Sequence, residues 1–174
     1  MFRKAILQDL DIISRIYDEI HTAQESGQIP NIGWKREVYP TKKTANEAIQ
    51  AGDMFVEEID GMIVASARIN KIQLPEYSNI SWKYSAPDNE VMVLHTLAVS
   101  PRKRRKGYGS KFIEFYEKYA FENNCHYLRI DTWEENHIAR SLYKKLGYSE
   151  IGIVNSDFNG INDFKLVCLE KKLV

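Results

Sequence analysis

The chain lacks most features that would let composition assign a function. It has no excess charge of either sign. Twenty-four Lys and Arg balance 24 Asp and Glu, so the molecule as a whole is no polyanion binder, and a nucleic-acid contact would need a local patch. Cysteine is scarce. Cys125 and Cys168 form neither a CxxC pair nor a framework, which fits a reducing compartment and thiols used in packing. No apolar run approaches the roughly eighteen residues of a membrane span. Met1-Phe2-Arg3-Lys4 leads to Gln8, Asp9 and Asp11 with no apolar leader core, so the expected location is the cytoplasm. There is no internal repeat, linker or second domain in the pattern. The 174 residues are expected to form one domain, 1–174, large enough to bury a core.

Periodicity supplies the elements that are present. Residues 2–6 suit a first strand. Residues 9–25 suit a helix with Asp9 as its N-cap and Ile12, Ile13, Ile16, Tyr17 and Ile20 at helical spacing. Gly27, Pro30 and Gly33 break that pattern, and Trp34 and Tyr39 lie in the irregular region after them. Thr41 or Thr44 can cap a shorter helix that stops at Gly52. Residues 54–59, the turn Asp60-Gly61 and residues 62–70 read as a β-hairpin. Residues 71–90 form a polar excursion carrying Tyr77, Trp82 and Tyr84. Its aromatics either line a pocket or cover a sheet edge. Then come a strand buried on both faces (91–99), a helix (109–123), a strand (127–133) and a helix (136–146) with Ile138, Leu142 and Leu146 as its core stripe. Two last strands, 148–154 and 164–169, flank a turn at 155–162. A hairpin followed by alternating strands and helices makes the class α+β (mixed α/β) with a single sheet.

The chemistry concentrates in Val91 to Ser110. A strand ends at Ser100-Pro101, the basic run Arg102, Lys103, Arg104, Arg105 and Lys106 follows, and Gly107 and Gly109 bracket Tyr108 before a helix begins. Loop amides and a helix N-terminus converging on one point favour an anion, and the cations suit phosphate. The loop lacks the Gly-Lys-Ser/Thr ending of a Walker site and the three glycines of a dinucleotide fold. Alone it is also compatible with a solvated basic turn. The second element is Asn136, Arg140 and Tyr143, spaced so that they share one helix face.

Together these residues resemble a known family. Leu97-Ala98-Val99-Ser100-Pro101, Arg104-x-x-Gly107-x-Gly109 and Asn136-x-x-Ala139-Arg140-x-Leu142-Tyr143-x-x-Leu146-Gly147-Tyr148 look like the acetyl-CoA-binding core of GNAT-type N-acetyltransferases. The strong match covers residues 91–148. The resemblance implies a single mixed central sheet flanked by helices, with a splayed central strand pair forming the acyl-CoA groove. It implies that Leu97, Ala98 and Val99 offer a strand edge to the pantetheine arm. Amides of Arg104, Arg105, Lys106, Gly107, Tyr108, Gly109 and Ser110 would hold the pyrophosphate, with Arg102 and Lys103 near the adenosine phosphate. Asn136 and Arg140 would complete the coenzyme site, and Tyr143 would protonate the departing sulfur. His95, Glu90 or a water chain would take the proton of the amine. His95 is two residues before Leu97 and so is expected on the same strand face. Trp34, Tyr39, Trp82 and Tyr84, with Tyr77, are the candidates for the acceptor pocket.

The expected activity is therefore acetyl transfer from acetyl-CoA to a primary amine of a small molecule or peptide, by direct attack in a ternary complex. No metal, nucleic acid or membrane takes part in that reading. Homodimerisation is common in the family, and no residue pattern here decides it. The alternatives are a non-catalytic acyl-CoA sensor or partner-binding domain on the same fold, and a nucleic-acid module built on Arg102 to Lys106. The last does not account for Asn136 and Tyr143.

Overall fold

Alternating apolar residues become strands, and residues at three- and four-residue spacing become helices, in a computed structural model that describes residues 1–157, 161 and 163–174. In chain order the elements are β1 (Phe2–Lys4), α1 (Leu10–Glu25), α2 (Lys42–Gln50), β2 (Met54–Ile59), β3 (Met62–Asn70), β4 (Val91–Val99), α3 (Tyr108–Glu122), β5 (Tyr127–Trp133), α4 (His137–Lys145), β6 (Ser149–Ser156) and β7 (Phe164–Lys172). The strands form one seven-stranded sheet in the order β1-β2-β3-β4-β5-β7-β6. β4 and β5 run parallel, while β1–β2, β2–β3, β5–β7 and β6–β7 run antiparallel. The mixed sheet flanked by helices is the fold class expected from the sequence.

Most boundaries fall within two or three residues of the sequence reading, and the exceptions have local causes. Asp9 does not cap α1 with its side chain; its backbone is already helical (φ −82°, ψ −13°). A 3-10 turn at Leu7–Asp9 precedes the helix, and the Asp9 carboxylate accepts from the Ile6 N–H at 2.9 Å and pairs with Arg3 at 2.6 Å. Thr41 caps α2, accepting from the Thr44 N–H. Asp60 and Gly61 turn the hairpin with φ of 51° and 75°, the left-handed pair a tight hairpin requires. Glu90 lies in a 3-10 turn, Asp88–Glu90, just ahead of β4. The predicted core stripe of α4 holds only in part: Leu142 and Leu146 are half-buried, Ile138 is 48% exposed, and Tyr143 is the buried residue of that helix. An aromatic body buries more apolar surface than a branched aliphatic and wins the inward position. The predicted turn at 155–162 gives up Asn155 and Ser156 to β6, and its centre lies outside the described residues.

Two compact units make up the chain: Met1–Ile69 with His95–Phe115, and Asn70–Leu94 with Tyr116–Val174. The first packs Ile13, Ile16, Tyr17 and Ile20 of α1 and Ala45 and Ala48 of α2 on Met54, Val56 and Ala98. Each buried isoleucine contributes roughly 1.5–3 kcal/mol. The second packs Tyr77, Val91 and Val93 on Val154, Leu166 and Cys168.

Candidate functional site

In the first unit, chemistry gathers at the end of β4. Thr96 has φ 53°, a left-handed conformation that a β-branched residue adopts only when its surroundings enforce it. The Tyr39 hydroxyl and Thr96 Oγ1 are hydrogen-bonded there. The irregular backbone also interrupts strand alternation between His95 and Leu97, so the period-two argument for a shared face stops at Thr96. His95, Leu97 and Val99 are half-buried, and Ala98 is packed in the core. After Val99 the Ser100 N–H bonds Val64 O at 2.9 Å, which anchors the start of the basic loop. Arg105 (φ 62°) and Gly107 (φ 78°) are both left-handed, and α3 starts at the next residue. Arg104 before them is extended (φ −62°, ψ 160°), and a glycine-bearing turn that leads straight into a helix N-terminus suits an anion. Arg105 and Lys106 are exposed and Arg104 is half-buried. Arg102 is partly committed elsewhere, paired with Glu19 at 2.9 Å.

Trp34 and Tyr39 belong to the same unit. Trp34 stands edge-on to Tyr17 and Tyr39, with ring centroids 6.3 and 6.4 Å apart. The segment carrying them is pinned to α1: Gln24 bonds both Trp34 O and the Ile32 N–H, and His21 Nε2 meets Pro40 O. Beneath lie the Tyr17 hydroxyl and Ser66 Oγ, both buried without a hydrogen-bond partner.

In the second unit, Asn136 is the N-cap of α4, accepting from the Ala139 N–H at 3.2 Å. Arg140 is held by Glu150 at 2.7 Å and by the Glu134 carbonyl. Tyr143 is 6% exposed. Burial, and secondarily the charge of Asp131, pushes its phenol above the ordinary tyrosine range, so it keeps its proton at neutral pH. Trp82 and Tyr84 serve a buried ion pair. Arg129 and Glu170 meet at 3.2 Å, the Trp82 ring lies 4.0 Å from the Arg129 guanidinium, and the Tyr84 N–H bonds Glu170. Glu90 closes the Asp88–Glu90 turn immediately before β4, seven residues ahead of Leu97 in the chain.

The sequence reading overlooked Asp131. Tyr77 donates its hydroxyl proton to Asp131 Oδ2 at 2.6 Å. Burial pushes this carboxyl up to about 6, against the lowering effect of the Tyr77 bond. Asp131 is the one acidic side chain in a strand of otherwise mostly apolar or paired residues, and that was the available signal. Among the described residues no group of three or more His, Cys, Asp or Glu side chains is arranged to hold a metal ion.

Three comparisons bear on this geometry. A relative in Bacillus subtilis (strain 168), the uncharacterized N-acetyltransferase YhfO, is 34% identical over 76 residues, 44% of this chain and 47% of that protein. The chain thus matches about half the length of that relative. A GNAT-family acetyltransferase from Streptococcus agalactiae 2603 superposes with a TM-score of 0.81 at 21% identity, covering 100% of this chain and 95% of that one. An N-acetyltransferase from Staphylococcus aureus Mu50 gives 0.73 at 18% identity, covering 100% and 98%. At these identities the structural likeness speaks for the fold. The sequence model of the acetyltransferase (GNAT) family matches residues 13–148. That span includes β4, the basic turn, α3, β5 and α4, and the chain belongs to the acetyltransferase (GNAT) family of acyltransferases.

Proposed function

We propose that this chain is a cytoplasmic enzyme, acting as one domain, that moves an acetyl group from acetyl-CoA to a primary amine of a small molecule or peptide by direct attack in a ternary complex. The observation that carries this reading is the left-handed Arg105 and Gly107 turn opening into α3, a backbone cradle for a diphosphate in a chain of this family. Amides from Arg104 to Ser110 take the pyrophosphate, with Arg104, Arg105 and Lys106 as counter-charges. The backbone edge of Leu97 to Val99 takes the pantetheine arm. Asn136 and Arg140 contribute mainly by fixing the start of α4, which carries Tyr143. On the acceptor side we retain Tyr39 and Trp34 as candidates, because Trp82 and Tyr84 are engaged in shielding Arg129 and Glu170.

The reaction needs a neutral amine and a stable leaving group. An alkyl ammonium of pKa ~10.4 is only about four parts in ten thousand neutral at pH 7, so a proton acceptor accelerates attack. The departing thiolate, with a pKa of ~8.5, leaves fairly well unaided, and a phenol donor assists it. Tyr143 suits that donor role because its hydroxyl has no protein partner among the described residues and stays protonated. Incubation with acetyl-CoA and a panel of amines, polyamines, amino acids, aminoglycosides and peptide N-termini, read as free thiol, tests the function. Tyr143→Phe is expected to lower turnover ~10²- to 10⁴-fold. An unchanged rate would remove Tyr143 from the mechanism.

A further inference from the structure

Asp131 occupies a singular place on β5. The ladder between β4 and β5 pairs Val91 with Tyr127, Met92 with Leu128, Val93 with Arg129 and Leu94 with Ile130. Asp131 is the next residue, so it is the first on β5 past the last rung with β4. On its other side it remains paired with Cys168 of β7. The backbone there is held from one side only, while its carboxylate is fixed by the Tyr77 hydroxyl through Oδ2. Oδ1 has no protein hydrogen bond among the described residues, and the residue as a whole is half-buried. An acid in an otherwise buried strand, with one oxygen oriented by a hydrogen bond and the other left unbonded by the protein, is how a base is prepared for a substrate proton.

Resting on the acetyltransferase reading above, we propose that Asp131 is the catalytic base, binding the acceptor's ammonium group and taking its proton. The groups facing it agree with that role. Tyr77 and Glu76 come from the excursion, Cys168 from β7 and Tyr143 from α4. The thiol of Cys168 is pushed up to about 12 and remains neutral. Glu76 is engaged by Ser156 Oγ at 2.6 Å. Asp131 titrates close to neutrality and Tyr143 well above it, so one is a base and the other an acid at the same pH. The proton ledger closes. The ammonium gives one proton to Asp131. The amine lone pair forms the N–C bond, and the C–S bond breaks with its electrons on sulfur. Tyr143 protonates the thiolate, and the second nitrogen proton, lost as the amide forms, returns to the phenolate. The Asp131 proton leaves to solvent.

The experiment is a set of pH–rate profiles of kcat/KM with the best amine of the panel. Wild type should show an acidic limb near pH 6. Asp131→Asn, which keeps an acceptor for Tyr77, should fall ~10²- to 10⁴-fold above the limb and lose it, its rate then rising about tenfold per pH unit with the neutral amine. Asp131→Glu should retain a limb. Tyr77→Phe removes the bond that lowers the carboxyl and should move the limb to higher pH, a change that a purely structural role would not produce. His95→Ala should keep the limb. A limb that survives in Asp131→Asn, or one abolished by His95→Ala, would overturn the assignment. Failure of the underlying function has a different signature, wild type that releases no thiol with any amine at any pH, and that outcome would remove both.

Discussion

The two units treat buried polar groups differently. In the second, the charges are matched: Arg129 finds Glu170, and Asp131 finds Tyr77. In the first, Tyr17 OH, His21 Nδ1, Glu57 Oε2 and Ser66 Oγ are buried without partners, four of the five such atoms among the described residues. An unmade buried hydrogen bond costs about 1–3 kcal/mol. The first unit therefore carries a polar debt inside an apolar core, and the second holds a closed network that depends on every member. Removing one of the unpartnered groups of the first unit should thus cost little, and removing a member of the Arg129–Glu170 network should cost much.

The largest expected effect comes from the buried pair. Arg129→Met leaves the Glu170 side chain, 1% exposed, without its cationic partner, and should destabilise by about 3–5 kcal/mol in urea denaturation. The same residue's contacts to Gln73 and Trp82 tie down the 71–90 excursion. Hydrogen exchange in that segment should rise together with the loss of stability. A variant as stable as wild type would show that the network is ornamental.

Asp131 is the exception within its own unit, because it is bonded and still costs stability. Its carboxyl is raised from 3.8 to about 6 in the fold, so the native state prefers the neutral form. That preference is fully present below pH ~4 and is lost as pH rises through 6. Asp131→Asn should match wild type at pH 4 and exceed it at pH 8 by up to about 3 kcal/mol. A gain in stability with a loss of activity is the signature of a residue kept for function. A stability difference independent of pH would contradict the raised carboxyl.

The periodicity of α1, the Asp-Gly hairpin and the strand–loop–helix order were legible because each depends on neighbours in sequence. The candidate anion-binding segment was legible for the same reason: Arg104 to Ser110 are contiguous and run from a turn into the start of α3. Asp131 was not, since its environment comes from Tyr77, 54 residues away, and from Tyr143 on another element. Trp82 and Tyr84 were visible as aromatics, but only tertiary contacts show that they shield Arg129 and Glu170. Thr96 gave no warning of a left-handed backbone, because threonine is an ordinary strand former.

The smallest effects make the sharpest contrast, since they use one chemical change in both units. Tyr77→Phe deletes a hydroxyl that donates to a carboxylate and should cost about 1.5–3 kcal/mol at pH 8, where Asp131 is charged. The loss should shrink at pH 4, where the neutral carboxyl needs the donor less. Tyr17→Phe deletes a hydroxyl that has no partner, in a ring 1% exposed, and leaves its apolar body in place. Its stability should stay within about 0.5 kcal/mol of wild type or rise, at either pH. If Tyr17→Phe instead costs as much as Tyr77→Phe, its hydroxyl is bonded in solution, to Ser66 Oγ or through water, and the two interiors are equally satisfied.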